Sequence, residues 1–125
     1  MRTLLGVMIA GGLGSGARYL IGQWAASRLG ASFPYGTLIV NLAGCFALGA
    51  VAQLASSTSW SPELRAAVAI GFIGGFTTYS SFNQETLTLI AAGSAGAALL
   101  NVAVTLAGGL AAGCLGLVVA RQLVA

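Results

Sequence analysis

Histidine, lysine and aspartate are absent from these 125 residues, and the ionisable inventory shrinks to five arginines and two glutamates, Glu63 and Glu85. Without histidine or aspartate the chain lacks the usual proton shuttles, and neither glutamate stands near a nucleophile and base, so no enzyme site can be assembled from it. Charged residues make up 6% of the chain, against roughly 25% in an ordinary soluble domain. The net charge of +3 is spread along the sequence, whereas a nucleic-acid surface needs cations gathered on one face. Polybasic lipid binding fails on the same ground. Cysteine is scarce as well: Cys45 and Cys114 lie in apolar runs with no CxxC spacing, which reads as packing and not as a metal site or disulfide.

What the chain has in quantity is apolar surface. Hydrophobic residues are 58% of the total, more than a soluble chain of this length can hide. Spans of about 20 residues with short loops leave room for four helices and no extramembrane domain. The expected fold is therefore an all-α membrane protein, a single transmembrane domain over residues 1–125 with helices near 3–26, 36–55, 62–91 and 95–121. Arg2 followed by an apolar run has the outline of a secretory signal, but it is read here as the first helix.

That first helix is rich in glycine, and Gly12 and Gly16 have the GxxxG spacing that lets helices approach closely in lipid. Arg18 sits deep in it without an acidic neighbour in sequence. It either snorkels to the interface or serves as a vestibule cation that attracts anions. Tyr19, Trp24 and Tyr35 have the amphipathic character of interfacial anchors around the first loop. In the second helix, Asn41 lies at membrane depth, as glue between helices or as a donor to something passing. Ser61, Pro62 and Glu63 form a helix start: a cap, a proline at the first position and an acid in the first turn. The last helix carries Asn101, Thr105 and a Gly109–Gly113 pair, which suits close packing better than chemistry.

The most unusual stretch is GFIGGFTTYSSFNQE, from Gly71 to Glu85. Gly74 and Gly75 followed by Thr77 and Thr78 make a weak point between Gly74 and Thr78 where a helix can open and leave carbonyls free. Broken helices at that depth coordinate ions in several transporters. Beyond it, Tyr79 and Phe82 are one turn apart, with Ser80, Ser81 and Asn83 around them. Either they pack helices or they face an ion path. With four helices the termini share a side, so Arg2, Arg65 and Arg121 oppose Arg28, joined by Arg18 if that residue snorkels to the interface, a weak positive-inside bias. So small a bias permits insertion both ways, and a two-fold axis in the membrane plane then brings two copies of the break together.

Over almost its whole length the chain resembles the Fluc (CrcB) family of fluoride channels. The resemblance is carried by Gly11, Gly14, Arg18 and Tyr19, by PYGTLIVNLAG from Pro34 to Gly44, and by GFIGGFTTYSSFNQE. It implies an antiparallel, dual-topology homodimer in the plasma (inner) membrane, multi-pass, that exports fluoride passively from the cytoplasm. It further implies that Asn41 is a pore residue, that Ser80 and Ser81 lie alongside the pore, and that the ring edges of Tyr79 and Phe82 line the fluoride path. Gly74 and Thr77 fall where backbone carbonyls hold a structural sodium ion, and Arg18 and Glu85 fall in the vestibule. The implied partners are fluoride, a second copy of the chain and lipid, with no nucleic acid. Two departures stand out: Tyr79 replaces the usual phenylalanine, and Gly109 and Gly113 stand where relatives commonly have serine and threonine. Two other readings share the four-helix outline. One is a small multidrug-resistance antiporter, which relies on a carboxylate in its first helix, and this first helix has none. The other is a non-conducting packing subunit.

Overall fold

The computed structural model describes residues 1–124, and these residues are all-helical, with no strand among them. Helix α1 (Arg2–Leu29) is followed by α2 (Tyr35–Ser57). Next comes α3 (residues 62–76), which joins an α-helical turn Pro62–Arg65, a π-helical stretch Ala66–Ile73 and a closing turn Gly74–Phe76. Helices α4 (Tyr79–Ala91) and α5 (Ala95–Leu123) complete the chain. Three of them, α1, α2 and α5, are long and apolar enough to cross a membrane. At about 1.5 Å per residue, the 28 residues of α1 measure roughly 42 Å, more than a hydrocarbon core of about 30 Å requires.

Element ends follow local chemistry. Helix α1 runs past its expected end and stops at Gly30, whose φ of 83° is left-handed; Gly93, at φ 75°, lies in the turn between α4 and α5. The start of α3 is capped as its sequence suggests, with Leu64 N–H donating to Ser61 Oγ at 3.2 Å and Pro62 in the first turn. Arg65 reaches back to the Ala55 carbonyl and ties this start to the end of α2.

Helix α2 packs chiefly on α5, and α1 packs chiefly on α3. Small residues set both seams. A Cβ on Gly14 would run into the Phe72 carbonyl, and one on Gly116 into the Phe46 carbonyl. The Gly109–Gly113 pair faces α2, where added Cβ atoms would lie 3.4 Å from Cys45 Sγ and 3.6 Å from the Cys45 carbonyl oxygen. For Gly12 and Gly16, nothing among the described residues lies within 4 Å of where their Cβ atoms would be, so this pair makes no seam within the subunit. The seam of α1 is made by Gly11 and Gly14 instead, on the opposite face of the helix. The core is thin, and Val40 and Asn101 are the only large side chains almost wholly buried among the described residues.

Candidate functional site

Helical backbone persists through Gly74, at φ −63° and ψ −37°, and ends at Phe76. Thr77 (φ −84°, ψ 160°) and Thr78 (φ −154°, ψ 116°) are extended before α4 begins. The departure thus falls on the two threonines, not on the glycines. Asn41 explains why. Thr78 N–H donates to Asn41 Oδ1 at 2.8 Å, and Asn41 Nδ2 donates to the Thr78 carbonyl at 3.0 Å. One side-chain amide therefore replaces the two helical hydrogen bonds that an extended residue forgoes, and Thr78 is only 9% exposed.

The threonine hydroxyls complete the joint. Thr77 Oγ1 donates back to the Ile73 carbonyl at 3.0 Å, and its methyl fills the space that Gly44 leaves on α2. Thr78 Oγ1 accepts from Ser81 N–H at 3.2 Å as the cap of α4, and lies 3.2 Å from Ser80 Oγ and 3.1 Å from Ser81 Oγ. On the α1 side, the Gly75 carbonyl accepts from Arg18 Nε at 3.1 Å and from Ser15 Oγ at 3.4 Å. Arg18 is thus committed to the backbone at the end of α3.

The break leaves carbonyls without their helical donors, those of Gly74 and Thr77 among them. In a continued α-helix, Gly74 and Thr77 would accept from the N–H groups of Thr78 and Ser81, but those donors are turned to Asn41 Oδ1 and Thr78 Oγ1. Uncommitted backbone oxygens at an unwound joint are the donor set that suits a hard cation such as sodium. The residues present fit that group.

Beside the joint lies a cavity of about 390 Å³. Asn41, Thr77, Thr78, Tyr79 and Phe82 line it from one side, and Thr105 and Gly109 from α5. The Tyr79 and Phe82 rings have centroids 5.7 Å apart and a tilt of 54°. Phe82 is 7% exposed and Tyr79 is 76% exposed, so one ring belongs to the wall and the other projects outward. Ring edges carry partial positive charge, and with the Asn41 amide and the Thr105 hydroxyl they offer an anion donors inside a largely apolar enclosure.

Of the site residues expected from sequence, Asn41, Thr77, Tyr79 and Phe82 meet at this cavity. Ser80 and Ser81 are drawn instead into the Thr78 hydroxyl cluster. Glu85 lies one turn beyond Phe82 in a second cavity, where its Oε1 accepts from Thr37 Oγ1 at 2.7 Å. Gly113 lies outside the first cavity and lines a shallow groove with Cys45 and Cys114. Thr105 was passed over, although Asn101, Thr105 and Gly109 are spaced by fours along one face of α5. The same spacing relates Thr37 to Asn41 on α2, and either row was a usable signal. Asn101 is 1% exposed and donates to Thr86 Oγ1 at 2.9 Å, and Thr86 in turn donates to the Phe82 carbonyl at 2.7 Å, fixing α4 against α5.

Comparison with known proteins gives these features a context. Residues 5–117 match the family model described as CrcB-like protein, Camphor Resistance (CrcB). The chain belongs to the CrcB-like family. A relative from Sorangium cellulosum is 52% identical over 118 residues, 94% of this chain and 93% of the relative. Another from Roseiflexus is 46% identical over 122 residues, and one from Acidobacterium capsulatum 44% over 122, each covering 97% of this chain and 98% of the relative. All three relatives are named "Fluoride-specific ion channel FluC", a channel and not an enzyme. Family membership and the three apolar helices make this chain a multi-pass membrane protein.

Proposed function

We propose that this chain forms a passive, fluoride-selective channel in the plasma membrane, built as an antiparallel, dual-topology homodimer. In this reading each subunit crosses the membrane four times, the third crossing being α3 and α4 joined at Thr77 and Thr78. The observation that carries the reading is the Asn41–Thr78 clamp beside a cavity walled by Phe82, in a chain whose relatives are named for fluoride.

Fluoride is small and strongly hydrated, so a narrow route must replace its water with well-placed donors. Asn41 Nδ2 has a second N–H beyond the one given to Thr78, and the Thr105 hydroxyl and the polarised edge of Phe82 stand around the same space. Chloride is larger and gains less from so close a fit. Gly74 and Thr77 would hold a sodium ion through their carbonyls, together with the same pair from a second copy. A bound ion there would supply fixed positive charge at the joint.

The test is fluoride efflux from liposomes containing only the purified chain, read with a fluoride electrode, with chloride efflux measured in parallel. Fluoride release without chloride release is expected. No flux from correctly inserted protein refutes the channel reading and favours a packing subunit, whereas fluoride flux that requires a proton gradient refutes the passive mechanism.

A further inference from the structure

At 1% exposure, Asn101 is the most deeply buried polar side chain among the described residues, and the fluoride route does not account for it. It shares a face of α5 with Thr105 and Gly109, which line the cavity beside the joint, yet Asn101 is not part of that lining. Instead its Nδ2 donates to Thr86 Oγ1 at 2.9 Å, the one side-chain hydrogen bond between α4 and α5 among the described residues. The direction of this bond is settled by chemistry. Thr86 Oγ1 has a single proton and gives it to the Phe82 carbonyl at 2.7 Å, so from α5 the hydroxyl can only accept. A relay therefore runs one way, from the Asn101 amide through the Thr86 hydroxyl to the backbone of Phe82, whose ring walls the cavity.

The relay reaches the helix where it matters for the ring. A threonine that bonds back to the carbonyl four residues earlier tends to bend its helix there, and a hydroxyl that also accepts a bond donates a stronger one. Asn101 thus governs, from α5, how firmly α4 is drawn over at Phe82. On the other side, Asn41 of α2 grips Thr78, the cap of α4. Thr78 and Thr86 stand four residues before and four after Phe82, so two asparagines on two helices hold the backbone on both sides of this one ring. Phe82 is 7% exposed, so the ring has little room to shift without its backbone. We infer that Asn101 is a positioning residue for fluoride passage: acting through Thr86, it sets the place of the Phe82 ring edge and never touches the ion. The consequence for flux rests on the fluoride reading; the placement of the ring does not.

The test pairs a spectroscopic signal from the ring with fluoride efflux and stability, all on the full chain. 4-Fluorophenylalanine placed at position 82 gives a single fluorine resonance that reports the surroundings of that ring. Asn101→Leu combined with Thr86→Val removes both polar partners and leaves apolar side chains of similar shape, a change close to neutral for stability. This double variant should unfold at the same dodecyl sulfate concentration as the unaltered chain. Its fluorine signal should nevertheless move by more than its linewidth, and its fluoride efflux from liposomes should fall about tenfold, the scale of one lost hydrogen bond. A residue that only glued helices would move neither once stability is restored. Thr86→Ser keeps the relay and should hold both the signal and most of the efflux. Asn101→Leu alone, which leaves the Thr86 hydroxyl in place, is the second variant, and its signal should move in the same direction by less. An unmoved signal in either folded variant overturns the inference, as does undiminished efflux from a double variant whose signal has moved. If the unaltered chain passes no fluoride, the channel reading fails by itself, and the fluorine signal still decides whether Asn101 places Phe82.

Discussion

Replacing Asn41 by alanine separates two roles that a single asparagine holds in this site. Its amide accepts from Thr78 N–H at 2.8 Å and donates to the Thr78 carbonyl at 3.0 Å. Thr78 is 9% exposed, so alanine leaves a donor and an acceptor stranded at an extended residue. Each stranded group costs about 1–3 kcal/mol. Water entering the neighbouring cavity can serve the carbonyl more easily than the N–H, which sets the expected loss at about 2–3 kcal/mol, roughly thirty- to a hundred-and-fiftyfold in the folding equilibrium. Against a typical net stability of ~5–15 kcal/mol, that is a large fraction without being lethal to the fold.

The assay is denaturation of the detergent-solubilised protein by dodecyl sulfate, with amide hydrogen exchange at Thr78 and fluoride efflux measured on the same preparation. Asn41→Ala should unfold earlier, exchange faster at Thr78 and lose most fluoride flux. A variant that keeps the unaltered midpoint and Thr78 protection yet loses flux would refute the clamp, and would mean that the Asn41 amide serves the ion alone.

Phe82→Ile keeps apolar bulk but removes the polarised ring edge, so fluoride efflux should fall sharply while dimer stability holds; normal efflux would reduce the aromatic pair to packing. Tyr79→Phe should conduct normally, because the Tyr79 ring is 76% exposed and makes no hydrogen bond through its hydroxyl to the cavity wall. Gly75→Ala should unfold the α1–α3 seam, since its Cβ would strike the Gly11 carbonyl, whereas a Cβ on Gly74 has only the Ala69 carbonyl oxygen near it, at 3.8 Å. If Gly74→Ala nevertheless abolishes dimerisation in detergent, its Cβ must meet a second copy; an intact dimer with normal flux would remove Gly74 from the interface. Gly109→Ser should raise fluoride efflux, because its side chain enters the cavity with only Cys45 Sγ nearby at 3.4 Å, while Gly113→Thr, outside that cavity, should not.

Composition made the helical, membrane-bound character legible, because 58% hydrophobic and 6% charged residues leave few alternatives. Ser61, Pro62 and Glu63 marked a helix start because capping is local chemistry, complete within four residues. What escaped reading was set at a distance. The weak point was read between Gly74 and Thr78; that the departure sits on its last two residues, Thr77 and Thr78, was not legible, because Asn41 holds the Thr78 backbone from another helix. Arg18 had no visible partner, since its acceptor is a backbone carbonyl and carbonyls leave no mark in sequence. Gly12 and Gly16 have the right spacing for a seam, but spacing cannot say which face of a helix looks inward.

The joint between α3 and α4 is fastened from two sides, by Arg18 and Ser15 on the Gly75 carbonyl and by Asn41 on Thr78. These bonds account for the backbone on either side but divert the helical donors of Gly74 and Thr77. In lipid, an uncommitted carbonyl must find a partner in protein, a cavity or an ion. The chain also leaves Ile70, Leu99 and Leu110 among its many exposed large apolar side chains, at 68, 71 and 75% exposure. Lipid can cover those, but it cannot satisfy the carbonyls at the joint. A second copy related by a two-fold axis at this joint would bring the same pair to the same point, and one cation there would answer all of them at once. The need that the single chain leaves unmet is therefore polar, and it lies at the joint, which is where a dimer of this chain should form.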